Sequence, residues 1–357
     1  MSYKILTLGE KEEWAKSLEK LPIDQQDIYY TPEYYALYEK NGDGQAICFV
    51  FEKDKDIALY PFLINSVNDL GYELDDEYFD IQGAYGYNGC VCSTLSSDFL
   101  TGFSNSFNIY CYKENIIAEF TRFNPVINNH IYSDYLNIVN TNRDIILNLK
   151  HSAKNTWENI YDRSVRKNVK KAIRSGLTVK RFSGNEIPEY WLTQFKNIYT
   201  ATLKRREADK FYFFSEKYFF HINKNLGDNV FYFFTLKGSL AISCELITLK
   251  NNNAYSFLGG TLSEYFPFRP NDLLKHEIIN YLRNISVKYF CLGGGSKDGD
   301  GIYKYKKSFS KNGSNEFFIG KKIYNKNIYS KICQEWSNKY PNKKKDYDSF
   351  LLKYREL

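Results

Sequence analysis

The 357-residue chain is poor in the residues that build metal sites and disulfide frameworks. Its four histidines do not fall at ligand spacing. Its seven cysteines (Cys48, Cys90, Cys92, Cys111, Cys244, Cys291 and Cys333) are scattered, odd in number and without a pair of CxxC units. This argues against structural zinc or a disulfide scaffold and for a reducing compartment, with no metal expected. No apolar run approaches the roughly 20 residues of a membrane-spanning helix. The opening "MSYKILTLGEKEEW" lacks a basic-then-apolar leader pattern, so the expected location is the cytoplasm. There is no repeat of solenoid length and no low-complexity linker. No Ser–His–Asp or Cys–His arrangement stands out, which disfavours a covalent enzyme intermediate.

What is present describes a soluble globular protein. Hydrophobic residues make up 43% and charged residues 25%, enough core for one large domain or two of ordinary size. The net charge of +6 suits an anionic partner but falls short of a nucleic-acid-coating protein. Aromatic residues reach 18%, nearly all of them Tyr (32) and Phe (27), so a single tyrosine carries little weight as a functional signal.

Along the chain, "LGEKEEWAKSLEKL" and "TPEYYALYEKNG" read as helices, the second with a Thr cap, Pro behind it and a Gly end. "AICFVFEKDKDIALYPFLI" reads as two strands around a charged turn. Residues 80–89, "DIQGAYGYNG", place three glycines among two tyrosines, an asparagine and a leading aspartate. Glycine serves positive φ or close backbone approach, so this is a turn or a ligand-facing wall. A basic helix follows, with Arg163, Arg166, Lys167, Lys170 and Arg174 on one face and Val165, Val169, Ala172 and Ile173 on the other. Then come a strand, two helices, a three-strand meander ("VFYFFTLKG", "SLAISCELITLKNN", "NAYSFLGGT"), a helix from "RPND", the strand "VKYFCLGGG", a short "YKYKKSF" helix and the strand "EFFIGKKIY". Such an order predicts an α+β or α/β layout with a mixed sheet. It divides into domains at 1–144 and 145–325, with a basic C-terminal helix over 326–357.

Several segments, in order, resemble the FemABX-like branch of the GNAT acyltransferases: "DIQGAYGYNG", "AEFTRFNPVINN", "DRSVRKNVKKAIRSGLTV", "IYTATLKRREADKFYFF", "AYSFLGGT" and "LGGGSKDGDGIYKYKKSF". The resemblance implies two tandem GNAT-like domains, each a mixed, largely antiparallel sheet flanked by helices. It also implies transfer of an aminoacyl or acetyl group to an amine on a peptidoglycan or surface-polysaccharide precursor. No cofactor is held permanently under this reading; the donor is either aminoacyl-tRNA or acetyl-CoA. The chain departs from the pattern twice. It has no long helical hairpin of the kind some tRNA-using members carry, and "YFPFRPND" stands where an Arg-Gly-x-Gly pyrophosphate loop would precede the helix near 270.

Amide formation requires an amine that loses its proton, a stabilised oxyanion and two substrates held in line. Lys306 matches the family's Phe-Lys position and is the candidate for the oxyanion; the alternative is one solvated face shared by Lys304, Lys306 and Lys307. Asp80 is the candidate base, against a turn or capping role. Tyr85, Tyr87 and Asn88 are candidates to line the acceptor side, with Arg122, Arg205 and Tyr255 also assigned to substrate. Arg122 has the alternative of a structural ion pair, and Arg205 that of a surface pair with neighbouring carboxylates. Arg166, Lys167 and Lys170, with Arg269 and Asn271 at a helix start, are candidates for the donor or a polyanion. The expected partners are a small or lipid-linked anionic acceptor, with tRNA and peripheral membrane association both open. Two alternative functions are an acetyl-CoA-dependent sugar N-acetyltransferase and a non-catalytic RNA- or polyanion-binding protein on the same fold.

Overall fold

A computed structural model describes residues 2–295 and 299–356. Their strands, in chain order, are β1 (Ser2–Leu6), β2 (Gln45–Lys53), β3 (Asp56–Ser66), β4 (Phe79–Gln82), β5 (Val91–Cys92), β6 (Ile116–Arg122), β7 (Asn137–Asn148), β8 (Leu177–Ser183), β9 (Val230–Lys237), β10 (Leu240–Lys250), β11 (Asn253–Thr261), β12 (Tyr289–Gly293) and β13 (Ser314–Ile323). The chain divides into two units, Met1–Thr141 with Phe317–Leu357, and Asn142–Glu316. Each contains a mixed, largely antiparallel sheet flanked by helices, as the family resemblance implies.

In the first unit the strand order is β1-β2-β3-β4-β6-β13, with β5 on β3. Among the described residues, β4 and β6 run parallel and the other strand pairs of this unit antiparallel. Phe49, Phe51, Tyr60 and Phe62 project from β2 and β3 onto Phe103, Phe107 and Tyr110 of the helix Ser97–Lys113. Burying each such ring is worth about 1.5–3 kcal/mol, which holds the helix on this face. The loop 83–89 after β4 is pinned by Asn88, whose side-chain oxygen accepts from the Arg122 N–H at 2.8 Å and whose own N–H reaches the Arg122 carbonyl at 2.7 Å. Gly86 (φ 102°) and Gly89 (φ 98°) occupy the left-handed region this tight path requires.

The C-terminal part departs from the expected division. β13 pairs antiparallel with β6 through residues 319–323 and covers an edge that would otherwise be unpaired. The helix Lys326–Lys339 then buries Ile332 and Trp336 beside Ile117, Val67 and Tyr354. Residues from Phe317 onward therefore belong to the first unit rather than to the end of the second.

The second unit has strand order β7-β12-β11-β10-β9-β8. Here β11 runs parallel to β12, but only over Asn253–Tyr255, so the remainder of β11 parts from β12. The helices Arg163–Arg174 and Pro270–Asn284 cover one face through Val165, Val169, Leu274, Ile278 and Leu282. Against the other face, the helix Glu189–Arg205 approaches β11 closely. A Cβ on Gly260 would lie 2.6 Å from the Thr202 hydroxyl and 2.8 Å from the Ile198 carbonyl oxygen, so only glycine permits this contact.

Candidate active site

The polar groups of the second unit gather where β11 leaves β12. Glu245 on β10 and Lys275 on the helix Pro270–Asn284 are 8% and 4% exposed and form an ion pair. Ser256 on β11 bridges them, donating to a Glu245 carboxylate oxygen at 2.6 Å and accepting from the Lys275 ammonium at 3.1 Å. Lys275 also lies over the Phe290 ring, 5.3 Å from its centroid. A desolvated pair of this kind is stable only when both partners and their hydrogen bonds are present. Neither residue is legible as special from its type alone. Glu245 is the lone acid in the mostly apolar "LAISCELITL", whereas Lys275 in "DLLKHEII" sits among Asp272, His276 and Glu277 and carries no such signal.

Lys306 stands on the short helix Gly301–Ser308, whose N-cap Asp300 accepts from the Tyr303 N–H at 2.7 Å. Its ammonium donates to the Gly294 carbonyl just beyond β12, at 2.7 Å. It is therefore turned into the protein, unlike a member of a solvated lysine face; Lys304 and Lys307 are exposed. Burial pushes the Lys306 pKa below the usual lysine value, and the nearby charge of Lys275 pushes the same way; Asp144, Cys291 and Glu245 oppose it. Asp144, buried on β7, lies against Gly294: a Cβ there would meet the Asp144 Oδ1 at 2.8 Å. A cation and a carboxylate thus flank the backbone of one glycine. Tyr305, next to Lys306, donates to the Asn271 carbonyl at 3.1 Å.

The proposed anion-binding residues at the start of the helix Pro270–Asn284 separate into two roles. The Asn271 side-chain oxygen accepts from the hydroxyls of Ser243 (2.7 Å) and Thr261, so it holds β10 and β11 to the helix start. Arg269 is exposed and takes a left-handed backbone (φ 64°). Asp272 is turned inward, accepting from the Asn168 amide at 3.1 Å, and burial raises its pKa. Arg205 donates to the Thr261 carbonyl at 2.8 Å and lies over the Phe266 ring. Arg205 and Arg269 thus flank the segment from the end of β11 to the helix start. Tyr255 is 1% exposed on β11 and is a core residue, not a substrate contact.

Three further expectations need correction. Asp80 is fully buried in the first unit, its carboxylate held by Arg355 Nε at 2.7 and 3.0 Å and by the Tyr354 hydroxyl at 2.8 Å. Burial raises its pKa while Arg355 acts to lower it. With no exposure and both oxygens engaged, it has no path to an acceptor amine. Asn88 is likewise buried and serves the loop described above. Arg166 folds back onto the carbonyls of Trp157, Glu158 and Tyr161 at 2.9–3.0 Å and closes the preceding helical turn, so its charge is spent within the fold. Lys167 and Lys170 remain exposed. Tyr85 and Tyr87 are half-buried; Tyr34 donates to the Tyr85 carbonyl, and the Tyr87 ring meets Tyr29 and Phe317 edge-on. Arg122 is exposed, with Nε donating to the Gly86 carbonyl at 3.1 Å and the guanidinium over Phe317.

Among the described residues no group of His, Cys, Asp and Glu could hold a metal ion, and no helix is long and apolar enough to cross a membrane. A cleft of about 280 Å³ lined by His151, Asn159, Lys311 and neighbours contains none of the groups around Lys306.

Residues 163–307 match the acetyltransferase (GNAT) domain family, and this interval holds Glu245, Lys275 and Lys306. A solved structure of FemX superposes with a TM-score of 0.67 over 92% of this chain and 99% of FemX, at 14% identity. The chain has a FemX-like GNAT fold. Two other solved structures share it. The C-terminal domain assigned to a lysylphosphatidylglycerol synthetase of Agrobacterium fabrum gives a TM-score of 0.53 at 12% identity, covering 90% of this chain and 94% of that domain. A tandem GNAT protein from the clavulanic acid biosynthesis pathway gives 0.54 at 7% identity, covering 91% and 98%. No curated protein matches this chain in sequence.

Proposed function

We propose that this chain forms an amide by transferring an aminoacyl or acetyl group to an amine on a cell-envelope precursor, a peptidoglycan or surface-polysaccharide sugar. The observation that carries the reading is the half-buried Lys306, its ammonium held by the Gly294 carbonyl at the end of β12, inside the GNAT-matching interval. The likeness to FemX and to a lysylphosphatidylglycerol synthetase domain supports the aminoacyl choice and the envelope setting.

In the reaction, the acceptor nitrogen attacks the donor carbonyl carbon. A C–N bond forms, and the carbonyl oxygen becomes an oxyanion. Lys306, already oriented by Gly294, stabilises that charge without reorganising. Collapse breaks the C–O bond of an ester donor or the C–S bond of a thioester donor. The amine proton passes to the leaving oxygen or sulfur, while Asp144, buried against Gly294, balances the Lys306 charge. Glu245 is engaged by Lys275 and Ser256 and positions the helix behind Lys306. Arg205 and Arg269 are assigned to the anionic part of a substrate.

A second reading, an acetyl-CoA-dependent sugar N-acetyltransferase, is favoured by one specific feature. Arg269 is exposed at the start of the helix Pro270–Asn284, and the first-turn N–H groups that Asp272 does not engage would suit a phosphate there. Thermal unfolding with each ligand separates the readings, since a ligand at a hundred times its Kd adds about 2.7 kcal/mol to native stability. Stabilisation by UDP-sugars but not by CoA supports the aminoacyl reading. Stabilisation by CoA supports the second.

A further inference from the structure

Between residues 204 and 224 the sequence carries six basic residues against three acidic ones, together with seven aromatic residues. Such rings would ordinarily be buried, yet four are not. Phe211 is 48% exposed, Tyr212 37%, Phe213 41% and Phe220 59%. Local structure holds them in place. Asp209 caps the turn Lys210–Tyr212 by accepting from the Phe211 N–H at 2.8 Å, and Tyr199 donates to the Tyr212 carbonyl at 2.9 Å. Phe214 then stacks on Tyr218 at 4.1 Å, joining the turn to the helix Glu216–Leu226. That helix buries Tyr218, Phe219, Ile222 and Leu226 and leaves Lys217, Phe220 and Lys224 exposed. The spacing i, i+3, i+7 puts these three in one outward stripe.

Of the three acids, Glu216 is ion-paired with Lys196 and Asp209 caps the turn, so the field over the segment is positive. We propose that the exposed aromatic turn and the Lys217–Phe220–Lys224 stripe dock on an anionic phospholipid bilayer, the rings entering the headgroup region and the basic side chains meeting lipid phosphates. Three of the four rings are phenylalanines, which lack a polar group to read a nucleobase edge. Lysines on either side of an exposed ring fit the amphipathic stem and charged head that settle at a membrane surface. Apolar entry and cationic attraction act together there, each too weak alone for lasting attachment.

The test is cosedimentation of the full chain with sucrose-loaded vesicles, which reads partition rather than turnover and so stands apart from the proposed reaction. The parent should bind phosphatidylglycerol–phosphatidylcholine vesicles, bind phosphatidylcholine alone far less, and release as salt rises. A Phe211→Ser/Phe213→Ser/Phe220→Ser variant should lose at least about tenfold in partition while keeping the parent Tm, because these rings lie outside the core. A Lys210→Glu/Lys217→Glu/Lys224→Glu variant should lose the preference for the anionic lipid. Failure of the parent to bind phosphatidylglycerol vesicles, or unchanged binding by the serine variant at a parental Tm, overturns the proposal. So does the case in which the serine variant keeps vesicle binding but loses binding to bulk tRNA, which would make the surface an RNA site.

Discussion

Asp80 and Arg355 lie 275 residues apart in sequence, yet the Arg355 Nε donates to both Asp80 carboxylate oxygens, at 2.7 and 3.0 Å. The same guanidinium reaches the carbonyls of Asn65 and Ser66 at 3.2 and 3.0 Å, while the neighbouring Tyr354 donates to Asp80. The pair thus ties the C-terminal segment to the β3–β4 region of its own unit.

Removing one partner leaves an uncompensated buried charge. Arg355→Ala should therefore lower stability by about 3–5 kcal/mol, read as a fall in the urea midpoint. Asp80→Asn should cost less, because its carbonyl still accepts one hydrogen bond. A loss below about 1 kcal/mol for Arg355→Ala would show that the contact is ornamental.

The Glu245–Lys275 pair makes a contrasting prediction. Each single replacement, Glu245→Gln or Lys275→Met, should cost about 3–5 kcal/mol, since each strands the other group in a dry site. The double variant Glu245→Gln/Lys275→Met should recover most of that loss. Additive costs in a double-mutant cycle would mean that the two side chains do not act as a pair.

His276 provides a pH dependence. Burial, reinforced by the charge of Arg283, lowers its pKa from 6.5 to about 4. Its ring is hydrogen-bonded between Tyr161 and Asn280. Below pH 6.5 the unfolded chain takes up a proton that the folded chain refuses until about pH 4, so stability falls as pH drops through that window. The loss is on the order of 3 kcal/mol once pH is below both values. Chemical denaturation between those pH values should show this slope, and His276→Gln should flatten it. A variant with the parent's slope would remove His276 as its source.

Lys306 predicts the opposite limb. Its lowered pKa means that the ammonium needed for the oxyanion is lost at lower pH than an ordinary lysine would lose it. Transfer by the parent should fall early on the alkaline side. Lys306→Arg, with a guanidinium that stays charged, should move that limb upward even if its maximum rate is lower. An unchanged limb in Lys306→Arg would assign the titration to another group.

Much of the architecture was readable in the chain because periodicity reports burial directly. The three-strand meander, the helix from Pro270 and the basic helix with Val165 and Val169 inward are all local patterns. The C-terminal assignment was not, because pairing of β13 with β6 is a long-range event with no signature in either strand. The site was legible by residue type more than by environment. Lys306 was found by its motif, but the structure supplies its contact with Gly294. Asp80 and Arg166 had the right chemistry and the wrong surroundings: one is matched to an arginine near the C-terminus, the other to three carbonyls beside its own helix. Glu245 was passed over because a lone charge in an apolar strand looks like noise until its partner is known, and Lys275 and Asp144 because they stand among other charged residues in sequence.

The central claim is that Lys306 stabilises the charge that develops during acyl transfer. The direct measurement is single-turnover transfer of a labelled aminoacyl or acetyl group to an amino-sugar acceptor, comparing the parent with Lys306→Ala at equal Tm. The account predicts a rate lower by about 10²- to 10³-fold with donor and acceptor binding nearly unchanged. A rate within about threefold of the parent, at equal Tm, would contradict it.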